Sequence, residues 1–259
     1  MHPDLLYTLN NLGYVLLEKG DWRSAEPILC EALDIEEAGN YPGFVGVFSN
    51  WGRLLEAKRD RAGARAYFQK ALDRLRQSNA VTSWQASQIL INLGVLEFDG
   101  NNYVAAETLA RRAMEMRRAL GGDQTPAMAA ALIDLAEAQL FQGYPRDAVP
   151  LLRRALEIRT GKYASTHPAV IAAKVRLGEA LIAAGDESQA EGLLREALAS
   201  AEAAPFHLLP WQIAEAESAL AACWTALGRV KDAESLARKV KSDWRSIHVR
   251  SFVSRPHCA

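Results

Sequence analysis

The sequence contains little cysteine and no closely spaced cysteine pair. Cys30, Cys223 and Cys258 are isolated, and no histidine lies at a metal-ligand spacing from any of them. A structural zinc site needs four cysteine or histidine ligands, usually in closely spaced pairs. We therefore expect no metal site and no cofactor. An odd number of isolated cysteines is also typical of a reducing compartment, which favours a cytoplasmic location.

Long apolar runs and an excess of one charge are also missing. No stretch reaches the ~20 apolar residues that a membrane-spanning helix requires. The first residues, MHPDLLYTLNNLGY, have no basic segment ahead of an apolar one, so we expect no signal peptide. The 30 Lys and Arg residues balance the 31 Asp and Glu residues, for a net charge of −1. We therefore expect neither a membrane nor a nucleic acid as a partner.

Sequence motifs of catalysis are absent as well. There is no glycine-rich phosphate loop, no GxSxG elbow and no HExxH pair. The histidines of His2-Pro3 and His167-Pro168 lie far apart in the sequence, and a proline after a polar residue is typical of a helix start. We interpret these histidines as helix-boundary residues, and we expect no enzyme activity.

One pattern recurs along most of the chain. Three of its copies have the sequences NLGYVLLEKGDWRSAEPILCEAL, DLAEAQLFQGYPRDAVPLLRRAL and RLGEALIAAGDESQAEGLLREAL. Each copy carries one alanine and a second small residue seven positions later. The first alanines, at steps of 39, 42, 42, 42 and 43 residues, are Ala25, Ala64, Ala106, Ala148, Ala190 and Ala233. Their partners are Ala32, Ala71, Ala113, Ala155 and Ala197, with Val240 in the last copy. Steps this regular indicate a repeat protein.

Each copy predicts two helices. In the fifth copy, Val170, Ala173 and Leu177 recur at spacings of three and four residues, which is typical of one apolar helical face. Gly185 can adopt the left-handed conformation that ends a helix. Asp186 is then the expected N-cap of the second helix. Small alanines at fixed sites allow the two helices of a pair to approach closely.

The second copy departs from this pattern. Its segment GFVGVFSNWGRLLEA contains several glycines, and the VGVF run can also be interpreted as a strand. The spacing from this run to Ala64 favours a helix. Because glycine inside a helix costs about 1 kcal/mol relative to alanine, we expect this copy to be the least rigid.

The repeat resembles the tetratricopeptide repeat (TPR). The matching features are Leu12-Gly13, Leu93-Gly94 and Leu177-Gly178 in the first helices and the alanine pairs in the second helices. The usual unit has about 34 residues. The step of 42 residues, the His-Pro boundaries and the NLG start are similar to the kinesin-light-chain type. The resemblance implies an all-α, right-handed α-solenoid over residues 1–245, made of about six helix-turn-helix units, with Leu12 in the core.

The expected units cover approximately residues 3–40, 41–80, 84–121, 125–163, 167–204 and 209–245. Residues 246–259 fit no repeat, and we expect them to form a disordered C-terminal tail.

The resemblance also implies that the first helix of each pair lines a concave groove that binds a peptide or a partner segment. In kinesin-light-chain-like repeats, Asn residues at one first-helix site contact ligand peptides, and the matching residues here are Asn11, Asn50 and Asn92. An amide side chain offers both a donor and an acceptor, so it can pair with a peptide backbone of any sequence. The alternative is that these amides only satisfy local backbone groups or reflect the ancestry of the family.

The candidate groove residues differ between the two halves of the chain. The first half supplies aromatic and amide groups with one cation, and the second half is acidic apart from one arginine. The candidates are Tyr7, Asn10, Asn11, Tyr14, Asn50, Arg53, Gln88 and Asn92 in the first half, and Asp134, Glu137, Arg176 and Glu179 in the second. We hypothesise that acidic or polar ligand groups lie near Arg53 and basic ones near Asp134 and Glu137. The alternative is a solvated charged face without a ligand. Arginine pairs of the second helices, such as Arg117-Arg118, are expected on the convex side.

These observations predict a non-catalytic protein–protein interaction module that binds a protein or peptide ligand in its groove. Two further interpretations stay open. The array can be an assembly scaffold that stacks end to end as a homo-oligomer, because the first repeat begins at His2-Pro3 without a capping segment and an uncapped helix exposes an apolar face. It can also be the regulatory TPR region of a larger bacterial signalling protein.

Overall fold

The computed structural model describes residues 3–39, 41, 44–203 and 210–253. Over these residues it contains twelve helices, which are Pro3–Glu18 (α1), Trp22–Gly39 (α2), Gly46–Ala57 (α3), Arg61–Gln77 (α4), Trp84–Asp99 (α5), Tyr103–Ala119 (α6), Pro126–Phe141 (α7), Pro145–Thr160 (α8), Pro168–Ala184 (α9), Glu187–Glu202 (α10), Pro210–Ala226 (α11) and Val230–Val253 (α12). The described part of the chain has no strand, so the all-α prediction is confirmed. His2 and the last residues, 254–259, lie outside the described residues.

The chain divides into two compact units, Met1–Asp123 (unit 1) and Gln124–Ala259 (unit 2). Unit 1 contains the helix pairs α1–α2, α3–α4 and α5–α6, and unit 2 contains α7–α8, α9–α10 and α11–α12. The two helices of every pair pack against each other. Stacked helix pairs of this kind define an α-solenoid, and each unit has this architecture. The last helix continues past residue 245, where we expected the tail to begin, and ends at Val253.

Within each unit, successive first helices lie close together. The backbone of α3 contacts those of α1 and α5 in unit 1, and the backbone of α9 contacts those of α7 and α11 in unit 2. Successive second helices, such as α2 and α4 or α8 and α10, have no Cα atoms within 8 Å of each other in the described residues. The first helices therefore form the inner side of each unit, and we call the surface that they present the inner face.

The repeated alanines lie where the two helices of a pair meet. All six first alanines and their five alanine partners are buried. Val240, which replaces the partner in the last copy, is only half-buried. Because a larger side chain at such a contact forces the helices apart, overpacking one of these sites is expected to cost about 1–3 kcal/mol.

Glycine follows leucine in two first helices because a leucine of the second helix occupies the space of a side chain. A Cβ atom built on Gly178 would lie 2.6 Å from Cγ of Leu194, and one built on Gly13 would lie 2.3 Å from Cδ2 of Leu29. Gly94 differs, since the nearest atoms to a Cβ atom there would be at 3.6 and 3.7 Å. The Leu-Gly motif thus reflects close packing in the first and fifth pairs.

Leu12 does not lie in the core. It is exposed, whereas Leu93 and Leu177 of the same motif are buried. Leu93 belongs to a hydrophobic cluster that includes Phe68 and Leu75 of the preceding helix pair. In the described chain, the backbone of α1 contacts only α2 and α3, so no helix covers the corresponding side of α1. The prediction that Leu12 is a core residue is wrong for this reason.

Other local predictions have mixed outcomes. Thr125 caps α7, since its Oγ1 accepts a hydrogen bond from the main-chain N–H of Met128 at 3.2 Å. Gly185 ends α9 in the left-handed conformation, with φ of 87°. Asp186 occupies the expected N-cap position of α10, but its side chain makes no capping hydrogen bond.

The VGVF run is helical, and the strand interpretation is wrong. Val47 and Phe48 lie in α3 and are fully buried. Phe48 packs beside Tyr67 of α4, with ring centroids 6.5 Å apart. Burial of these side chains between the helices of a pair explains why an apolar run that resembles a strand becomes one face of a helix.

No helix in the described part of the chain combines the length and the apolar character that are needed to span a bilayer.

Candidate functional site

The candidate residues of the first half lie on the three first helices of unit 1. Two adjoining cavities open between these helices, with volumes of about 260 Å³ and about 480 Å³. The smaller cavity is lined by Tyr14, Glu18, Ser49, Asn50, Arg53, Gln88 and Asn92. The larger cavity is lined by Leu17, Arg53, Glu56, Ala57, Arg59, Asn92, Val95 and Asp99. Because Arg53 and Asn92 belong to both cavities, we treat the two as one site, the unit 1 trough.

Hydrogen bonds of side-chain amides join the first helices of unit 1. Nδ2 of Asn50 donates to Oδ1 of Asn10 at 2.8 Å, and Nδ2 of Asn92 donates to Oγ of Ser49 at 3.3 Å. Asn10, Asn50 and Asn92 are buried, so these bonds also stabilise the stacking of the helices. Asn11 occupies the same repeat position as Asn50 and Asn92, and yet it is exposed. The three amides predicted to form one series therefore have different surroundings.

Arg53 is the arginine that lines both cavities. Its Nη2 lies 2.6 Å from Oε1 of Glu18, and its guanidinium carbon lies 5.3 Å from the ring centroid of Tyr14. The side chain of Arg53 is 27% exposed and that of Glu18 is 49% exposed. An ion pair this accessible contributes only ~0–1 kcal/mol. Arg53 can therefore exchange Glu18 for a ligand carboxylate or carbonyl at little energetic cost.

Two exposed tyrosines of α1 add aromatic surface. Tyr14 lines the smaller cavity beside Arg53. Tyr7 packs edge-on against Phe44, with ring centroids 4.4 Å apart, and half of its surface remains accessible. Tyrosine and arginine are frequent anchors of protein interfaces because they combine a large contact area with a polar group.

Two carboxyl groups line the larger cavity. Burial raises the pKa of Glu56, and the nearby charge of Asp99 raises it further, while the charges of Arg53 and Arg61 lower it. The unit 1 trough therefore has an amide-rich end, where Arg53 pairs with Glu18, and an end of mixed charge, which Glu56, Asp99 and Arg59 line.

Arg117 does not line the trough, but it contacts Gln88, which does. This side chain of α6 is only 2% exposed. Its Nε donates to Oγ of Ser87 at 3.2 Å, and its Nη2 donates to Oε1 of Gln88 at 3.0 Å. The expectation that Arg117 lies on the convex side is wrong, because its side chain points into the contact between α5 and α6. Its neighbour Arg118 is exposed as expected.

Arg176 is the centre of the candidate residues in unit 2. Its guanidinium contacts Glu137 of α7 at 3.1 Å, Glu179 of α9 at 3.0 Å and Glu215 of α11 at 2.9 Å. We call these four residues the Arg176 cluster. Three carboxylates surround one guanidinium, so the inner face of unit 2 has an excess of negative charge around Arg176.

The electrostatics of unit 2 follow from this arrangement. Burial raises the pKa of Glu137, the charge of Arg176 lowers it, and the charges of Glu179 and Glu215 raise it again. Asp134 is half-buried. Burial of Arg159 lowers the pKa of its guanidinium, and the charge of Asp134 partly opposes this effect. Asp134 therefore interacts with a cation of the protein, whereas the Arg176 cluster has more negative than positive charge.

Sequence reasoning missed several residues of these sites, such as Glu18, Ser49, Glu56 and Asp99. For two others, Glu215 and Arg117, the repeat register contained a signal. Glu215 occupies the same repeat position as Tyr7 and Gln88, so extending that alignment to α11 would have found it. Arg117 occupies the same repeat position as Leu75, which is buried. This shared repeat position was the signal that Arg117 is buried and Arg118 is not.

Across the part of the chain that the structure describes, no three His, Cys, Asp or Glu side chains are grouped so that they could hold a metal ion.

Sequence models of one protein family match the chain, and that family is the tetratricopeptide repeat. The matches cover residues 5–38, 85–161 and 146–203. No curated protein is significantly similar to the chain in sequence.

Several solved structures share the fold. BtubC (BKLC) of P. vanneervenii is 18% identical, with a TM-score of 0.73 over 89% of this chain and 92% of that chain. TPR-like repeats assigned to a kinesin light chain of Podosopora anserina are 18% identical, with a TM-score of 0.70 over 80% of this chain and 97% of theirs. NprR in complex with its cognate peptide NprX is 14% identical, with a TM-score of 0.63 over 91% of this chain and 66% of that chain. At these identities the likeness concerns the fold alone.

Proposed function

The chain belongs to the tetratricopeptide repeat family, and from this premise we propose that it is a non-catalytic protein-interaction module whose unit 1 trough binds an extended polypeptide segment. The observation that carries the proposal is the pair of adjoining cavities that share Arg53 and Asn92 on the inner face. Together they present amide, guanidinium and aromatic groups in one place. NprR, which has the same fold, was solved with a bound peptide, and this supports the proposal by analogy.

The chemistry of the trough suits a peptide main chain. Gln88 and Asn92 each carry an amide nitrogen with two hydrogens, of which the protein's own bond uses one. The remaining hydrogens and the guanidinium of Arg53 are donors for peptide carbonyl groups or for an acidic side chain. Tyr14 adds an apolar surface on which a ligand side chain can pack.

Unit 2 presents a different chemistry on its own inner face. The Arg176 cluster holds three carboxylates for one guanidinium. Arg176 already contacts all three, so it is less available to an acidic ligand than Arg53 is. We infer that this face binds basic groups, such as lysine side chains of a partner.

The test of unit 1 starts from an array of random peptides probed with the purified full chain. The peptide that binds best is then titrated against the wild type and two variants by fluorescence anisotropy. Arg53→Ala should weaken binding about tenfold, because it removes the cation that lines both cavities. Arg111→Ala, on an exposed part of α6, is the matched control and should change the affinity by less than about twofold. Equal affinities of the wild type and Arg53→Ala would refute the role of the trough.

The test of unit 2 uses the variant Glu137→Lys and two peptides, one rich in lysine and one uncharged. Charge reversal should weaken binding of the lysine-rich peptide and leave the uncharged peptide unaffected, because it removes attraction for cations only. Equal effects on both peptides would reject charge selection by this face.

Self-association is a second candidate function, favoured by one observation. Leu5, Leu12 and Val15 are exposed on α1 at spacings of seven and three residues, which places them on one side of the helix. We propose that a second copy of the chain covers this side. Because Leu12 is exposed, Leu12→Glu should leave the fold intact and abolish a dimer seen by sedimentation. A wild-type chain that stays monomeric at every concentration would dismiss this candidate.

A further inference from the structure

We propose that Arg117 is a positioning residue of the unit 1 trough, which orients the amides of Gln88 and Asn92 for peptide carbonyl groups. The inference rests on the proposed function of the trough. It identifies the buried group that determines which way the trough amides present their donors and acceptors. Arg117 contacts neither cavity itself.

The burial of Arg117 needs an explanation. Arginine is rarely buried, because removing a guanidinium from water is unfavourable unless its donors are satisfied. Two of those donors bond to α5, at Ser87 and at Gln88. Leu75, at the same repeat position in α4, is buried without any polar contact of this kind. A leucine would therefore be sufficient for packing at this position, and the guanidinium adds hydrogen bonding.

The contacts of Arg117 continue into the trough in one direction. Nη2 of Arg117 donates to Oε1 of Gln88 at 3.0 Å, and Nε2 of Gln88 donates to Oδ1 of Asn92 at 3.2 Å. Nδ2 of Asn92 then donates to Oγ of Ser49 at 3.3 Å. We call this series of hydrogen bonds the Arg117 relay.

The direction of the relay is determined by its first member. A guanidinium has donors and no acceptor, so Gln88 has to present its oxygen to Arg117 and its nitrogen to the trough. Asn92 has to accept from Gln88 for the same reason, and its nitrogen then points towards α3. Without Arg117, each amide could rotate by half a turn and exchange its oxygen and nitrogen.

The consequence for binding is preorganisation. Gln88 is exposed, and an exposed glutamine otherwise populates many rotamers whose loss opposes binding. Arg117 restricts those rotamers before the ligand arrives. The relay therefore favours a ligand that brings acceptors, such as the carbonyl groups of an extended peptide main chain, over one that brings donors.

The first test needs no ligand. In the ¹⁵N-labelled full chain, the NMR signals of the side-chain NH₂ groups of Gln88 and Asn92 report on the relay. Arg117→Lys keeps the charge but loses the forked geometry, so it should shift both sets of signals and speed their hydrogen exchange about tenfold. Arg118→Lys is the matched control, because Arg118 is exposed and pairs with Asp123 instead. Wild-type signals in a folded Arg117→Lys chain would overturn the proposal.

The second variant, Gln88→Glu, covers the case in which Arg117→Lys does not fold. A carboxylate at position 88 still accepts from Arg117 but cannot donate to Asn92. The Asn92 signals should therefore shift while the melting temperature stays close to that of the wild type. Unchanged Asn92 signals would overturn the proposal, because the relay requires Gln88 to donate to Asn92.

Binding completes the test with the peptide selected on the array. Arg117→Lys should weaken binding about tenfold and Arg118→Lys by less than about twofold. Equal binding by the wild type and Arg117→Lys, together with shifted amide signals, would show that the relay does not serve the trough and would overturn the proposal. If no peptide binds the wild type, the proposed function fails, and the amide signals alone decide whether Arg117 orients Gln88 and Asn92.

Discussion

The side-chain amide of Asn50 donates a hydrogen bond to Oδ1 of Asn10 at 2.8 Å, across the contact between α3 and α1. The same nitrogen lies 3.3 Å from the main-chain oxygen of Asn10. Both side chains are buried. One amide thus joins the first two helix pairs of unit 1 and also lines the trough that we propose to bind peptides.

We expect Asn50→Asp to lower the free energy of unfolding by about 1–3 kcal/mol, because an ionised carboxylate would face two oxygen atoms of Asn10 without a proton to donate. Asn11→Asp, at the equivalent repeat position, is the control and should change it by less than about 0.5 kcal/mol, since Asn11 is exposed. Urea unfolding followed by circular dichroism measures both. Similar losses in the two variants would contradict the role of the Asn10–Asn50 bond.

Alanine at two glycines of the Leu-Gly motif should have opposite effects. Gly178→Ala should destabilise the chain by about 1 kcal/mol, because the new Cβ atom would lie 2.6 Å from Cγ of the fully buried Leu194. Gly94→Ala should stabilise it by up to about 1 kcal/mol, since the new Cβ atom would make only ordinary van der Waals contacts at 3.6 and 3.7 Å and alanine favours a helix. Thermal unfolding compares the two. A gain in stability from Gly178→Ala would show that the contact with Leu194 does not require glycine.

Glu36 should make the stability of unit 1 depend on pH. Burial raises the pKa of this carboxyl, which the charges of Arg74 and Lys70 only partly oppose. A carboxyl whose pKa is higher in the folded than in the unfolded chain destabilises the fold at neutral pH. The lost stability is recovered as the pH falls through the pKa of the folded chain towards 4.5, the ordinary pKa of a glutamate carboxyl. The wild type should therefore gain stability relative to Glu36→Gln as the pH is lowered.

Glu37→Gln is the control for that experiment, because Glu37 is exposed and lies 2.8 Å from Lys70. The wild type should not gain stability relative to Glu37→Gln as the pH is lowered. Denaturant unfolding at several pH values gives both differences. A Glu36→Gln difference that stays the same from pH 7 down to pH 4.5 would refute the raised pKa.

Arg176→Met should destabilise unit 2 at neutral pH and less so in acid. The substitution leaves Glu137, Glu179 and Glu215 without the guanidinium that they share, so they repel one another. Because these side chains are partly exposed and screened by solvent, we expect a loss of only about 1 kcal/mol. The pKa of Glu137 is already raised by burial, and losing Arg176 raises it further. Protonation at lower pH then removes the repulsion.

Thermal unfolding of Arg176→Met and of Arg153→Met at neutral and acidic pH checks this expectation. Arg153 is exposed and bonds to Gln189 rather than to a carboxylate, so its loss should show no such pH dependence. A deficit of Arg176→Met that grows in acid would rule out the repulsion.

The helix pairs could be predicted from the sequence, and several of the polar contacts could not. Thr125 and Gly185 mark helix ends through local backbone chemistry, so their roles were evident from their positions. Leu12 was misplaced because the Leu-Gly motif describes the packing of one pair and not whether another helix covers it. Asn11 was grouped with Asn50 because their repeat positions agree, although only Asn50 meets a neighbouring helix.

The sequence by itself determined the all-α class and the succession of helix pairs, since apolar spacing, small alanines and glycine turns act over a few residues and recur in every copy. Only the tertiary structure decided which groups these residues contact: Arg117 bonds to Ser87 and Gln88 of α5, and Glu215 joins the carboxylates around Arg176. Such contacts depend on how helices distant in sequence are rotated against one another, and that rotation results from the packing of all their side chains together.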